Sequence, residues 1–169
     1  MIEISGYVDF NSDFFSIEVD DYVPLRFRSY DGVVGGGYCR VLGEKNSLFE
    51  FIFDSKNGVV RGATLTSFSK IHSIAGMGDV EVVFGLPVLS ENIRRRFLPF
   101  EKLDFNIDFS VGFGGDFVEI DFGFICDSVF LLRFGSVEFF INKKNFISGM
   151  RFVELPASDL ERIFIQRSI

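Results

Sequence analysis

From Leu103 to Phe109 every odd position is apolar and every even one polar, with Leu103, Phe105, Ile107 and Phe109 set against Asp104, Asn106 and Asp108. That period of two belongs to a strand with one wet face. Residues 117–123 repeat it, placing Glu119 and Asp121 on one side and Val118, Ile120 and Phe122 on the other. Between them, residues 110–115 carry Gly112, Gly114 and Gly115, the composition of a hairpin loop. The two segments are therefore expected to pair antiparallel, gathering Asp104, Asp108, Glu119 and Asp121 on one side of a sheet around Asn106.

Shorter runs with strand character cover residues 5–10, 14–19, 23–28, 38–42, 80–84 and 129–134. Two hairpins read as copies of each other. In residues 49–60, Glu50, an apolar triplet, Asp54 and Lys56-Asn57 follow in order; in residues 137–148, Glu138, an apolar triplet, Asn142 and Lys144-Asn145 take the same spacing. Each is a strand, a tight polar turn and a returning strand, and Asn57-Gly58 supplies residues that tolerate positive φ. Helices are few. Pro156 followed by Ser158-Asp159-Leu160-Glu161 predicts a capping box and a C-terminal helix with Leu160, Ile163 and Phe164 as its apolar stripe. Shorter helices are expected from Ser90 to Pro99, burying Ile93 and Phe97, and from Ser67 to Ala75, stopped by Gly76. The fold class is α+β, a strongly bent antiparallel β-sheet arrangement with pseudo-duplicated hairpins and a few short helices.

At 169 residues, residues 1–169 suit a single domain with a core large enough to need no metal or disulfide. There are 24 phenylalanines and no tryptophan, and the mean hydropathy is +0.28. No apolar run approaches the roughly 20 residues that span a bilayer. Met1-Ile2-Glu3 opens without the basic start and apolar stretch of a secretory signal, so a cytoplasmic protein is expected, with Cys39 and Cys126 reduced and buried.

The net charge of −7 is unevenly distributed. Residues 103–132 hold Asp104, Asp108, Asp116, Glu119, Asp121 and Asp127 with no Lys or Arg, and residues 1–25 hold Glu3, Asp9, Asp13, Glu18, Asp20 and Asp21 on the same terms. Like charges crowded on neighbouring strands repel, so a cationic partner is expected to dock there. Asp104, Asp108, Glu119 and Asp121 form the expected partner-binding set, with Asp116 beside them and Asp13, Glu18 and Asp20 as a second patch. A pI near 4.7 disfavours direct nucleic-acid binding, and Arg94-Arg95-Arg96 is too short to reverse that.

Catalytic chemistry is poorly stocked. His72 is the single histidine, and a hydrolase would need a cleft where it meets Cys39 or a carboxylate. Zinc would need a Cys/His cluster that is absent, and the alternating carboxylates lack the order of a calcium loop. Paired carboxylates suit a glycosidase only at a defined separation, which sequence does not give. Asp31-Gly32 to Gly37 matches neither phosphate-binding nor dinucleotide fingerprints. No cofactor and no metal are expected. The phenylalanines admit an alternative, a β-rich protein holding a small apolar ligand in its interior.

The order of these elements resembles that of bacterial immunity proteins of contact-dependent growth inhibition and related polymorphic toxin systems. The residues that carry the likeness are 49–65, with Glu50, Asp54, Lys56-Asn57-Gly58 and the returning strand to Leu65; Gly85-Leu86-Pro87-Val88; and Val137 to Ile141, Ile147, Leu155 and the capped helix. The chain departs from that pattern in its Phe-rich strands and its base-free stretches. The resemblance implies a non-enzymatic cytoplasmic inhibitor that binds one cognate toxin domain, some relatives completing a sheet with a toxin hairpin. A nuclease toxin is basic because it holds phosphates, so an acidic surface suits its inhibitor.

Overall fold

Alternation along the chain becomes fourteen strands and two helices in the computed structural model, which describes residues 1–9, 14–30, 36–74, 80–97 and 102–166. In chain order these are β1 (Ile2–Val8), β2 (Ser16–Glu18), β3 (Leu25–Arg28), β4 (Gly36–Leu42), β5 (Leu48–Asp54), β6 (Val60–Ser67), β7 (Glu81–Phe84) and β8 (Leu86–Leu89). Helix α1 (Glu91–Arg95) follows, then β9 (Lys102–Asn106), β10 (Ser110–Phe113) and β11 (Val118–Asp121). A 3-10 turn (Ile125–Asp127) leads to β12 (Ser128–Phe134), β13 (Val137–Asn142), β14 (Phe146–Phe152) and helix α2 (Ala157–Ile165).

The strands form two sheets. One is ordered β2-β3-β6-β5-β4-β9; the other runs β10-β11-β14-β13-β12-β7, with β1 added to β14 and β8 to β1. Each list is a two-stranded ribbon, a three-stranded meander and a parallel edge strand, and the two lists correspond position for position. Pairing is antiparallel except at those edges, β9 on β4 and β7 on β12.

The correspondence extends to residues. The β5–β6 ladder slips between Ile52 and Phe53, and the β13–β14 ladder slips between Phe140 and Ile141, the same step of the two similar hairpins. In both turns a side-chain carbonyl oxygen accepts from the backbone two residues on, Asp54 from Lys56 N–H at 2.8 Å and Asn142 from Lys144 N–H at 3.0 Å. Gly62 of β6 and Gly149 of β14 each lie against a neighbouring backbone carbonyl. A Cβ would stand 2.9 Å from the Phe27 oxygen at Gly62 and 2.7 Å from the Ile120 oxygen at Gly149. Only glycine lets those strands approach so closely.

The apolar faces of the two sheets share one core. Phe27 of β3 meets Phe139 of β13 with ring centroids 6.3 Å apart, and Phe122 after β11 meets Phe49 and Phe51 of β5 at 5.6 and 6.0 Å. Phe27, Phe49, Phe51, Phe53, Phe139 and Phe152 are almost wholly excluded from water. Each contributes about 1.5–3 kcal/mol of burial, so this interior dominates folding. On β5 the buried phenylalanines Phe49, Phe51 and Phe53 fall at every second residue, whereas β13 is buried on both faces and places Phe139 in the shared core and Phe140 in a smaller cluster with Ile125 and Leu131.

Several expectations are corrected. Residues 103–109 and 117–123 do not pair. Ser110–Phe113, expected as a loop, is strand β10 and takes the place beside β11, while β9 crosses to the other sheet and pairs with β4. Asp104 and Glu119 therefore belong to different sheets. The helix from Ser67 does not form, since Ser67 closes β6. Helix α1 starts as expected, with the Ser90 hydroxyl accepting the Ile93 N–H at 3.3 Å, but it ends at Arg95. The capping box at Ser158 is not formed either. Helix α2 begins at Ala157, and the Pro156 carbonyl accepts from Asp159 and Leu160.

Candidate functional site

Four of the acidic side chains that the sequence singled out have acquired a cation from elsewhere in the chain: Asp104, Glu18, Glu119 and Asp108. Arg40 holds Asp104 by two hydrogen bonds, Nε to Oδ1 at 2.7 Å and Nη2 to Oδ2 at 2.6 Å, and this keeps the Asp104 carboxyl below its usual range. Glu18 takes both Arg28 and Arg26, the latter at 3.7 Å. Glu119 is 2% exposed and receives Arg151 Nε at 3.1 Å. Between strands, Lys70 holds Asp108, with a similar depression of its pKa.

The others work locally. Asp121 Oδ1 accepts the N–H groups of Gly123, Phe124 and Ile125 at 2.7, 3.0 and 3.1 Å, closing the turn after β11. Asp20 does the same for Tyr22 and Val23, both at 2.7 Å, and those backbone bonds lower its pKa. Asp116 is exposed in the turn between β10 and β11, where its backbone carbonyl accepts Leu155 N–H at 2.8 Å. Asp13 lies outside the described residues. The expected acidic flank is thus replaced by two faces on which charges alternate.

On the solvent face of the first sheet the strand register aligns Glu18, Arg26, Thr64, Glu50, Arg40 and Asp104 into one row from β2 to β9. On the second sheet the matching row is Gly112, Glu119, Arg151, Glu138, Arg133 and Phe84. Gly112 has no side chain, and His72 fills the gap. A Cβ at Gly112 would stand 2.7 Å from His72 Nε2, which instead lies 3.2 Å from Glu119 Oε1.

The second row is closed. Arg151 joins Glu119 to Glu138, which it meets at 3.7 Å, while Arg133 Nε donates to Glu138 at 3.0 Å. The Arg151 guanidinium also rests on the Phe117 and Phe140 rings, 4.6 and 5.0 Å from their centroids. Both glutamates are 2% exposed, so these pairs are desolvated and fully used.

The first row is open at its middle. Arg26 is turned to Glu18 and Arg40 to Asp104, so among the described residues no cation forms an ion pair with Glu50. Over Glu50 lies a surface cavity of about 310 Å³, lined by Arg26, Arg28, Tyr30, Tyr38 and Thr64 among others. Two of the side chains that line it, Ile52 and Tyr30, lie 3.5 Å from where a Cβ at Gly62 would be. Nothing in the charge pattern announced this groove, because Glu50 lies outside both base-free stretches. The usable signal was the hairpin similarity, which pairs Glu50 with Glu138 and so invites the question of what each one faces.

A second cavity, of about 300 Å³, lies between Phe124, Asp127, Asn142, Lys143 and Lys144 on the other sheet. Like the groove, it is an outer feature. Phenylalanine rings of both sheets are buried in the space between them, where an apolar ligand would sit.

His72 does meet a carboxylate, and its Nδ1 lies 3.0 Å from the Ser110 hydroxyl. Hydroxyl, imidazole and carboxylate stand in the spacing of a nucleophile relay. Yet the Glu119 carboxylate also holds Arg151, and His72 ends the charge row. Cys39 lies in the other sheet, buried, with its thiol pushed up to about 12 by desolvation. Cys126 is exposed rather than buried, and neither cysteine forms a disulfide. Among the described residues no group of three His, Cys, Asp or Glu is placed to hold a metal, and no helix is long and apolar enough to cross a membrane. Compared with protein-family models and with curated proteins, the chain matches none.

Proposed function

We propose that the chain is a non-enzymatic, cytoplasmic binding protein of the immunity type, which neutralises a cognate toxin domain by covering it with the solvent face of its first sheet. The observation that carries this reading is the open row on that face. Five of its six strands contribute a charged side chain to one row, broken at Thr64 on β6, with Glu50 beside the break, without an ion pair among the described residues and set in a groove. A half-buried carboxylate with no ion pair of its own among the described residues leaves a charge to be complemented by a partner, which favours specific recognition. The net charge of −7 gives the whole molecule a field that attracts a basic protein such as a nuclease, while the groove supplies the local fit.

Ring-to-ring contacts between the sheets support this reading over the apolar-ligand alternative, which needs a lumen. Co-expression with the secreted toxin domains of the source organism tests it. One toxin should lose its growth inhibition in the presence of the chain, and protection against none of them would overturn the proposal. Ser110→Ala gives a second readout. Protection should be unchanged, whereas a folded variant without protection would point instead to a nucleophile at Ser110.

A further inference from the structure

We infer that the groove over Glu50 is a receptor for one arginine side chain of the partner, and the molecule's second sheet shows how it is filled. The inference rests on the binding reading above and names what that face recognises. At the matching place in the second sheet stands Arg151, register partner of Glu138 on one side and Glu119 on the other, with its guanidinium on two aromatic rings. In the first sheet the register partner of Glu50 is Thr64, far shorter than arginine, and the cavity of about 310 Å³ occupies the space above it. The carboxylate is present in both sheets. In the second it is ion-paired by Arg133 and Arg151, whereas in the first its register neighbour Arg40 is ion-paired to Asp104 instead.

The surroundings of Glu50 favour a guanidinium. Tyr38 on β4 and Tyr30 after β3 line the groove beside Ile52, offering flat faces where the second sheet offers Phe117 and Phe140. A guanidinium stacks on such rings and meets a carboxylate with two parallel hydrogen bonds, which an ammonium does not do. Arg26 and Arg28 line the opposite end, where both are drawn to Glu18 at the outer strand. Glu18 and Glu50 are separated by three strand spacings, about 14 Å. The groove is therefore dipolar, and its carboxylate end is free to take a cation. Arg40, the register partner of Glu50 on β4, directs its two side-chain hydrogen bonds to Asp104 and acts on Glu50 only as a neighbouring charge.

Ethylguanidinium is the probe, followed by amide and methyl NMR of the intact chain. Saturable shifts should be confined to Tyr38, Glu50, Ile52 and Thr64, with ethylammonium binding more weakly. Glu50→Gln should weaken ethylguanidinium by about tenfold, the loss of one charge-assisted hydrogen bond. Glu91→Gln, on helix α1 and outside the groove, should leave it nearly unchanged. Thr64→Arg, which supplies from within what Arg151 supplies in the other sheet, should remove the probe's effect while the chain stays folded. Shifts spread over the whole surface, unchanged binding in Glu50→Gln, or sodium acetate reproducing the same shifts would each overturn the inference. Rescue from a toxin by Thr64→Arg as strong as by the unmodified chain would also overturn it, and would leave the immunity reading standing. Ethylguanidinium binding without protection against any toxin would remove the immunity reading and leave the receptor.

Discussion

The two sheets are built to one plan and finished differently. Each has a ribbon, a meander and a parallel edge strand, and each places a glutamate from the second strand of its meander at the centre of the outer row. In the second sheet that residue, Glu138, is 2% exposed and shares Arg151 with Glu119. In the first sheet its counterpart, Glu50, is half-buried and faces Thr64. One architecture thus carries a charge row that is complete and one that is left open. The difference teaches that the acidic residues of this chain are not a single class. Those of the second sheet belong to folding, and the central one of the first is available for recognition.

The contrast breaks most directly at Arg151. Arg151→Met removes the cation from between two glutamates that cannot reach water, and should destabilise the chain by about 3–5 kcal/mol. Thr64→Val, the matching change in the first sheet, should stay within about 1 kcal/mol, since Thr64 makes no ion pair and the substitution keeps its shape. Denaturant midpoints of the two variants measure the gap. Equal costs would mean that the second row is no more essential to folding than the first.

The next largest effect tests the shared plan itself. Gly62→Ala and Gly149→Ala each drive a methyl group toward a backbone carbonyl, that of Phe27 or Ile120, and backbone gives way less readily than a side chain. Both should lose about 1–3 kcal/mol by overpacking. Gly112→Ala presses instead on the His72 ring, which can move, so it should cost less while breaking the contact with Glu119. A large cost at one of Gly62 and Gly149 and none at the other would end the claim that the two positions are equivalent.

Much of this plan is legible in the sequence. The alternation at 103–109 marks β9, the runs at 38–42 and 129–134 mark β4 and β12, and the spacing of Glu, apolar triplet and Lys-Asn picks out the two central hairpins. What is not legible is pairing across distance. Asp104 meets Arg40 across 64 residues and Asp108 meets Lys70 across 38, so a stretch without bases in sequence is not one in space. Strand β10 was hidden by its glycine. Gly112 in a loop and Gly112 in a strand under an imidazole look alike until His72 is placed, although a glycine inside a strand is itself a sign of close approach. Glu50 gives no signal in the charge pattern because Arg40, Lys45 and Lys56 lie near it in sequence, and its significance comes from comparison with Glu138.

The smallest predicted effect concerns the outer end of the open row. Arg40 holds Asp104 by two hydrogen bonds, so the folded-state pKa of Asp104 lies below its ordinary value of 3.8. A depressed pKa means that the carboxylate form is favoured in the folded chain. Its contribution is therefore full above the ordinary value and is lost as pH falls through the folded one. Because Asp104 is 41% exposed, solvent screens the pair, and Asp104→Asn should cost no more than about 1 kcal/mol at neutral pH. That cost should fall away as the pH drops below 3.8 and through the folded-state pKa and shrink in high salt, while the cost of Arg151→Met, whose partners are out of water, should respond much less to salt. Stability of the unmodified chain and both variants, measured across pH and ionic strength, separates the two rows. If Asp104→Asn costs as much in acid or in molar salt as at neutral pH and low salt, the outer end of the first row is held by packing rather than by charge, and the distinction between a closed and an open row no longer rests on electrostatics.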